Sequence, residues 1–255
     1  MKETPVEIRT SDGTVDGFLY YSEDAARKPG VIHLTDIGGI RASHRGMAQR
    51  LAEQGFTVLL PNVFYRTGKP PVVEFPFKPG EERFMKRFAE LTGPMTPEAM
   101  ERDSSAYVDF LAAQDLVSKG PLGVVGYCFT GAMAVRACAA RPDKIGAAAS
   151  FHGGGLFTDK PTSPHLDLPR IKACLYFGHA TQDRTMPQEA IDKFNAVLAS
   201  WGGRYGSEVY ADALHGWTVS DSHAYNRPQA ERAFGKLTQL FAVELKEHSE
   251  AASSD

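Results

Sequence analysis

The sequence predicts an α/β protein that is built on one mostly parallel sheet. Short apolar segments alternate with longer amphipathic segments, as strands alternate with helices in this fold class. Between residues 30 and 60 the order is strand, glycine-bearing loop, helix and strand. A helix that joins two strands in this way returns the chain to the same end of the sheet, so the two strands run parallel. The strand, turn and helix over residues 122–134 extend the same pattern.

Each predicted element has a local signal. Asp12 and Gly13 join two extended runs, which is typical of a hairpin. Pro97 and Pro187 stand in the first turn of two helices, where proline is well tolerated. Strands are predicted over 6–10, 15–21, 30–34, 56–60, 122–127, 145–151, 171–178 and 208–210. Helices are predicted over 43–55, 97–119, 129–141, 187–201 and the segment that contains 234–245.

Residues 62–96 interrupt the alternation, because they are rich in proline and phenylalanine and show no clear period. We expect an irregular excursion over the edge of the sheet, with one short helix near residues 81–91. The excursion is either a packed surface loop or a lid that lines a substrate site, and the sequence leaves both open. No linker or repeat divides the chain, so we expect a single domain over 1–247 and a frayed tail over 248–255.

Composition and charge disfavour several classes of function. The chain has 28 basic and 31 acidic side chains, and this balance predicts no nucleic-acid partner and no attraction to membranes. The polar start of the chain carries no secretory signal. The chain has three cysteines and no CxxC motif, so the sequence predicts neither a disulfide framework nor a zinc site. We therefore expect a cytoplasmic monomer without a metal or a cofactor, since the glycines at 153–155 also lack the Lys–Ser/Thr of a phosphate loop.

The stretch over residues 122–134 carries the strongest motif. A short apolar strand turns abruptly into a helix, with Cys128 at the apex, Gly126 before it and Gly131 after it. This arrangement is typical of a nucleophile elbow, in which a strained turn exposes one reactive side chain above a parallel sheet. The positive end of the following helix favours a thiolate. We interpret Cys128 as a nucleophile, and Cys138 and Cys174 as structural cysteines.

Two further loops lie at the carboxyl ends of predicted strands, where open parallel sheets bind their ligands. They carry Asp183 and His215, so the chain order is nucleophile, acid and base, as in α/β-hydrolases. An imidazole can take a proton from a thiol, and a buried carboxylate fixes the imidazole's tautomer and stabilises its cation. The backbone N–H groups of Ile37 and Phe129 would hold a developing oxyanion. Other loop acids remain alternatives to the first carboxylate: Asp159, Asp167 and Asp212.

At these positions the chain resembles the dienelactone hydrolases, which are also called carboxymethylenebutenolidases, over roughly 6–245. The resemblance is carried by residues 35–39, residues 126–131, the loop of the acid and residues 215–217. It implies an α/β-hydrolase fold with an eight-stranded, mostly parallel sheet and helices on both faces. It also implies a catalytic triad of Cys128, Asp183 and His215. By the same resemblance, Asp36 stands where the family has an acid that pairs with the resting thiol.

The binding residues follow the family less closely. Threonine occupies position 130, where the elbow usually has glycine, and the serine and arginine that some members carry after the base are absent. Either Arg83 or Arg87 in the excursion is a candidate cation for a substrate carboxylate. Tyr127 and Trp217, beside the proposed nucleophile and base, are candidate substrate contacts. Other histidines near strand ends are interpreted as structural or pocket-lining: His33, His152 and His179.

These features predict a cysteine-dependent hydrolase of small lactones or activated esters, which acts through a thioacyl-enzyme intermediate. A broader carboxylesterase or thioesterase is the alternative enzyme. A small-molecule sensor that keeps the pocket without turnover is the alternative of another class, and the complete set of cysteine, aspartate and histidine disfavours it.

Overall fold

A computed structural model describes residues 1–24, 26–75 and 80–246. The predicted tail over 248–255 lies outside these residues. The strands are β1 (Lys2–Thr10), β2 (Gly13–Tyr21), β3 (Gly30–His33), β4 (Thr57–Pro61), β5 (Leu122–Tyr127), β6 (Ile145–Phe151), β7 (Cys174–Gln182) and β8 (Tyr205–Leu214). The helices are α1 (Ala42–Glu53), α2 (Glu82–Thr92), α3 (Pro97–Ala112), α4 (Thr130–Ala140), α5 (Gln188–Trp201) and α6 (Arg227–Glu244), with a 3-10 helix over Pro164–Arg170.

The eight strands form one sheet in the order β1-β2-β4-β3-β5-β6-β7-β8. Strands β1 and β2 form an antiparallel hairpin, β2 also runs antiparallel to β4, and the other neighbouring pairs are parallel. The predicted α/β-hydrolase architecture is therefore confirmed. Because the central strands run parallel, the loops after β3, β5, β6 and β7 meet along one edge of the sheet.

Two apolar layers enclose the sheet. Helices α3, α4 and α5 cover one face, and α1 and α6 cover the other. Neighbouring strand residues alternate between the layers: Val124 packs in the first and Val125 in the second, and both are fully buried. This alternation decides which residues at the strand ends can face a site above the edge and which turn into a helix layer.

Strands β1, β7 and β8 extend by at least three residues beyond a predicted end. Strand β1 begins at Lys2, although most of its side chains are exposed or half-buried, so no apolar alternation marks its start. Strand β7 continues to Gln182 and β8 covers ten residues up to Leu214, which pairs with Gln182. Pairing between these two strands, rather than an apolar pattern, extends both of them.

The excursion over 62–96 contains the predicted short helix, α2, and its residues 76–79 lie outside the described chain. Val72 is buried against the loop after β3, because a Cβ added to Gly39 would lie 2.5 Å from Cγ2 of Val72. In α2, the ring of Phe88 meets the ring of Phe129 edge to face, with centroids 6.2 Å apart. The excursion thus covers the loops after β3 and β5, which favours a lid over a remote surface loop.

Candidate active site

The turn after β5 holds Cys128 in the left-handed region, at φ 55°. Such a conformation is strained for a non-glycine residue and needs support from its surroundings. The N–H of Cys128 lies 3.1 Å both from the carbonyl oxygen of Phe151 and from Nδ1 of His152, so the end of β6 holds it from the neighbouring strand. A Cβ on Gly126 would lie 2.2 Å from the carbonyl oxygen of Thr130, so the close turn requires glycine there.

Thr130 fits this turn through its hydroxyl group. Its Oγ1 accepts a hydrogen bond from the N–H of Tyr127 at 3.0 Å and donates to the carbonyl of the same residue at 3.1 Å. The side chain is fully buried between the turn and the end of β3. Threonine at this position therefore closes the turn with two short-range hydrogen bonds.

His215 follows β8, and its Nδ1 lies 2.6 Å from Oδ2 of Asp183 after β7. The other oxygen of Asp183 accepts from the N–H and the hydroxyl of Thr185, at 2.8 and 2.6 Å. Burial of Asp183 opposes its charge, but the hydrogen bonds with His215 and Thr185 hold the pKa of this carboxyl below its usual range. The carboxylate is thus ionised and fixed, so Nδ1 of the imidazole carries a proton towards it.

The side chain of Cys128 lies close enough to His215 to raise the pKa of the imidazole. Burial lowers the pKa of His215, but the hydrogen bonds and charges of Asp183 and Cys128 outweigh burial and raise that pKa to about 10. A thiolate is the nucleophilic form of cysteine, and a protonated imidazole beside it has the sign of charge that stabilises a thiolate. The three residues predicted as nucleophile, acid and base are therefore brought together.

Two backbone N–H groups follow the neighbouring strands β3 and β5 at corresponding positions. His33 of β3 pairs with Val125 of β5. Ile37 lies four residues after His33, and Phe129 lies four residues after Val125. Within the described ranges, neither the N–H of Ile37 nor that of Phe129 has a protein acceptor. Unpaired N–H groups at this edge of the sheet can bind a developing oxyanion.

His152 is the site residue whose role the sequence did not reveal. It follows β6 directly, adopts φ 41° and is 1% exposed. Burial and the charge of His215 hold its pKa well below the usual range, so its ring is neutral. Nδ1 accepts from the N–H of Cys128, so Nε2 carries the proton and donates to the hydroxyl of Thr218 at 2.8 Å. Its position directly after a central strand was the available signal.

The chain matches the model of the dienelactone hydrolase family over residues 15–245. The chain belongs to the dienelactone hydrolase family. It is accordingly a carboxylic-ester hydrolase. Family relatives include the carboxymethylenebutenolidases of Rhodococcus opacus, 28% identical over 83% of this chain and 81% of the relative, and of Pseudomonas putida, 26% identical over 86% and 88%.

Solved structures agree on the fold. The crystal structure of a dienelactone hydrolase from Anabaena variabilis superposes with a TM-score of 0.66 at 17% identity, covering 96% of this chain and 99% of that one. An esterase of Pyrococcus furiosus reaches 0.69 at 18% identity, covering 96% and 94%. In the described ranges, no group of three or more His, Cys, Asp or Glu side chains is placed to hold a metal ion. None of the described helices has the length and apolar character to span a membrane.

Asp36 does not pair with the thiol as the family resemblance implied. Its Oδ1 accepts from Nη1 of Arg41 at 2.6 Å and from the N–H of Gly38 at 2.8 Å, and its Oδ2 accepts from Nη2 of Arg41 at 2.8 Å. Among the described residues, no hydrogen bond joins Asp36 to Cys128. Arg41 holds both carboxylate oxygens, and Nε of Arg41 in turn donates to Asp221 at 2.8 Å. The acid in this family member therefore braces the loop that carries Ile37.

The candidate substrate contacts are placed unevenly. Tyr127 is 4% exposed and stacks on Phe151, and Trp217 is fully buried against His152, so both belong to the α1/α6 layer. Both rings therefore pack under the edge of the sheet, and their contact with substrate stays a prediction.

The two candidate arginines of the excursion already have partners. Nε of Arg87 donates to the carbonyl of Val72 at 2.8 Å, and its Nη1 donates to Glu90 at 2.9 Å. The guanidinium of Arg83 lies over the ring of Phe75, 4.1 Å from its centroid. The structure places neither of them against Cys128, and the choice between them as a carboxylate-binding cation stays a prediction.

Proposed function

We propose that this hydrolase uses Cys128 as its nucleophile and cleaves small lactones or activated esters through a thioacyl intermediate. The observation that carries the proposal is the arrangement of Cys128, His215 and Asp183. A strained cysteine lies near an imidazole whose pKa it raises, and Nδ1 of that imidazole lies 2.6 Å from a fixed carboxylate. This arrangement supplies a nucleophile, its base and the group that orients the base.

In the first half-reaction, the thiolate of Cys128 attacks the carbonyl carbon of the ester. A C–S bond forms, and the carbonyl electron pair moves to oxygen, where the N–H groups of Ile37 and Phe129 would hold it. The tetrahedral intermediate collapses, the C–O bond to the leaving group breaks, and the proton of His215 goes to the departing oxygen. In a lactone the leaving oxygen stays attached to the acyl group.

In the second half-reaction, water releases the acid. Two of the interactions that raise the pKa of His215 come from Cys128, and acylation of the sulfur removes them. The pKa of His215 then falls towards the ordinary value of histidine, so the neutral imidazole can accept a proton from water. The resulting hydroxide attacks the thioester, the C–S bond breaks, and the sulfur departs as a thiolate beside the protonated imidazole. The resting state is restored.

The cover over the site favours small acyl groups. Phe88 of α2 meets Phe129, the residue after the nucleophile, and Phe84 lies beside Phe88 with ring centroids 6.2 Å apart. These rings provide an apolar surface beside the residue that follows the nucleophile. The curated relatives are named carboxymethylenebutenolidases, and a lactone of similar size is a candidate substrate here. Uncharged esters are equally compatible, because the guanidinium groups of the cover are already engaged.

The first prediction concerns the nucleophile. Cys128→Ala should lower kcat/KM for p-nitrophenyl acetate by about 10³-fold or more, since only binding and the oxyanion donors remain. Cys174→Ala is the matched control, because Cys174 is half-buried at the start of β7 and should leave the rate within twofold. Mass spectrometry of the parent during turnover should find the acyl group on Cys128. Equal rates for the parent and Cys128→Ala would show that the proposed nucleophile is wrong.

A substrate panel separates the proposed activity from its alternatives. Cis- and trans-dienelactone, simple lactones, aryl esters and a short-chain thioester should be compared at equal enzyme concentration. A preference for lactones and aryl esters is expected, whereas faster turnover of thioesters would identify a thioesterase. Saturable binding of these compounds without any product would indicate a sensor.

A further inference from the structure

One guanidinium group joins two loops at the carboxyl edge of the sheet. Arg41 stands at the N-cap of α1. Its Nη1 and Nη2 donate to the two oxygens of Asp36, at 2.6 and 2.8 Å. Its Nε and Nη2 donate to the two oxygens of Asp221, at 2.8 and 3.0 Å. Asp36, Arg41 and Asp221, here called the Arg41 cluster, thus contain two bidentate ion pairs, which are strong and fixed in geometry.

The Arg41 cluster uses every donor of the guanidinium group. An arginine side chain has five N–H donors. Four go to the two carboxylates, and the fifth is donated from Nη1 to the carbonyl of Gly39 at 3.3 Å. The guanidinium group also packs on Gly38, where an added Cβ would lie 2.6 Å from Nη1. Arg41 is therefore engaged with the protein and has no N–H group left for a substrate.

The two carboxylates belong to loops that carry proposed reacting groups. Asp36 directly precedes Ile37, whose N–H is a proposed oxyanion donor, and Asp221 follows His215 by six residues. The backbone N–H of Asp36 lies 3.2 Å from Nε2 of His44, and the same ring nitrogen lies 3.3 Å from Oδ2 of Asp36. The Arg41 cluster therefore joins the loop of the oxyanion donor to the loop of the base.

The charge of Arg41 keeps the two carboxylates together. Burial opposes the charge of Asp36, but His44 and the ion pair with Arg41 outweigh burial and hold the pKa of this carboxyl well below its usual range. Burial, with the charge of Asp36, raises the pKa of Asp221, but the hydrogen bond and charge of Arg41 prevail and lower it. Both carboxylates are therefore ionised at neutral pH. Without the guanidinium group they would repel each other and separate the two loops.

We propose that Arg41 is a positioning residue for ester hydrolysis. Through Asp36 it holds the N–H of Ile37 in the orientation that receives the oxyanion, and through Asp221 it fixes that loop relative to the loop of His215. An oxyanion donor stabilises the transition state more than the bound substrate, so a misplaced donor lowers kcat with little effect on KM. This inference rests on the proposed function, because it assigns a role in forming the tetrahedral intermediate.

Arg41→Gln tests this role, because an amide cannot replace two bidentate ion pairs. We expect kcat for p-nitrophenyl acetate to fall by about 10–100-fold, as for a displaced oxyanion donor. KM should change by less than about threefold. Arg45→Gln is the matched control, since Arg45 is an arginine of the same helix whose carboxylate partner is Glu3 of β1. Its kcat should stay within about twofold of the parent's.

Alkylation of Cys128 by iodoacetamide separates a misplaced oxyanion donor from damage to the thiol. The sulfur displaces iodide from a saturated carbon in this reaction, so a C–S bond forms, the C–I bond breaks and no oxyanion develops. The alkylation rate of Arg41→Gln, followed by mass spectrometry, should therefore stay within about twofold of the parent's while kcat falls. In isotope-labelled protein, the amide resonance of Ile37 should move in Arg41→Gln and stay in place in Arg45→Gln.

Asp221→Ala removes the link to the loop of the base and leaves the ion pair of Arg41 with Asp36 in place. The side chain of Asp221 is 46% exposed, so this variant should fold. We expect kcat to fall by about 3–10-fold, because one of the two anchors of the guanidinium group remains. The same alkylation measurement applies to it, so the test holds even if Arg41→Gln does not fold.

Three results would overturn the proposal. The first is a kcat of Arg41→Gln within about twofold of the parent's. The second is a fall in the alkylation rate equal to the fall in kcat, which would show that Arg41 supports the thiol or the whole fold. The third is a raised KM at unchanged kcat, which would place Arg41 in substrate binding. If Cys128→Ala hydrolyses the ester as fast as the parent, the proposed function fails instead. An unmoved Ile37 amide resonance in Arg41→Gln would then still overturn the positioning of the loop.

Discussion

Thr130 shows how one hydroxyl group can replace the glycine expected at the second position after a nucleophile. The side chain is fully buried, and its oxygen is the acceptor of the N–H of Tyr127 at 3.0 Å. A β-branched residue fits because Thr130 begins helix α4 and the turn's left-handed residue is Cys128 itself. The strain of the elbow is therefore concentrated at the sulfur-bearing residue.

The hydroxyl of Thr130 should contribute to the free energy of unfolding. Thr130→Val keeps the shape of the side chain but leaves the N–H of Tyr127 buried without its acceptor, so the free energy of unfolding should fall by about 1–3 kcal/mol. Thr238→Val is the control. The hydroxyl of Thr238 donates to the carbonyl of Phe234, within helix α6, so its loss should change the free energy of unfolding by less than about 0.5 kcal/mol. Urea unfolding followed by circular dichroism compares the two. Similar losses in both variants would contradict the role assigned to Thr130.

His215 couples stability to pH at the same scale. Its pKa is raised to about 10 in the native state, from an ordinary value of 6.5. Between these values the native state holds a proton that the unfolded state lacks, so the stabilisation is complete below pH 6.5 and is lost as pH rises through 10. The stability difference between the parent and His215→Gln should therefore shrink over that window, as measured by urea unfolding at successive pH values. Cys128→Ser should weaken this pH dependence of stability. A stability difference between the parent and His215→Gln that stays constant from pH 6 to 10 would contradict the coupling.

At the scale of elements, α2 is the part of the excursion that reaches the site. It places Phe88 against Phe129, while Met85 on the same helix is 51% exposed. One helix thus has a face towards Phe129, the residue after Cys128, and a face towards solvent. Lid elements of this kind commonly determine which acyl groups fit.

The contrast between the two faces of α2 is testable. Phe88→Ala should enlarge the space beside Phe129. The ratio of kcat/KM for p-nitrophenyl butyrate to kcat/KM for p-nitrophenyl acetate should then rise by about 5–10-fold, as expected for a few extra methylenes in an apolar pocket. Met85→Ala, on the exposed face, should leave the ratio unchanged. If the two variants shift the ratio equally, α2 does not line the acyl site.

At the scale of the whole molecule, the sheet is shared by two helix layers. Leu111 of α3 and Leu237 of α6 are both almost fully buried, but they lie in different layers. Strand residues such as Val124 and Val125 belong to opposite layers although they are neighbours in sequence. Because both helix layers pack on the same strands, unfolding of the sheet would remove the packing surface of both layers at once.

This architecture predicts a single unfolding transition. Leu111→Ala and Leu237→Ala should each lower the free energy of unfolding by about 2–5 kcal/mol, and each should keep one transition in both fluorescence and circular dichroism. Gln239→Ala, at an exposed position of α6, should change it by less than about 0.5 kcal/mol. Two separate transitions in either core variant would show that the layers unfold independently.

Local patterns predicted the fold and the meeting of the three candidate site residues, because each prediction depends on neighbouring positions in the chain. The alternation of strands and helices fixes the parallel sheet, and parallel strands bring Cys128, Asp183 and His215 to one edge. The roles of Asp36 and Trp217 were not predictable in this way. They depend on which partner a side chain meets across the fold, such as Arg41 for Asp36 and His152 for Trp217.

The hydrogen bonds of the Cys128 N–H to Phe151 and His152 have a consequence for engineering. The sulfur is anchored to the neighbouring strand β6, whose register with β5 ends at the pair Tyr127 and Phe151. The lid and the helices of either layer can then be redesigned for new acyl groups while the nucleophile keeps its coordinates. Changes that slip β6 by one residue would instead rotate His152 to the opposite face and leave the cysteine without its anchor.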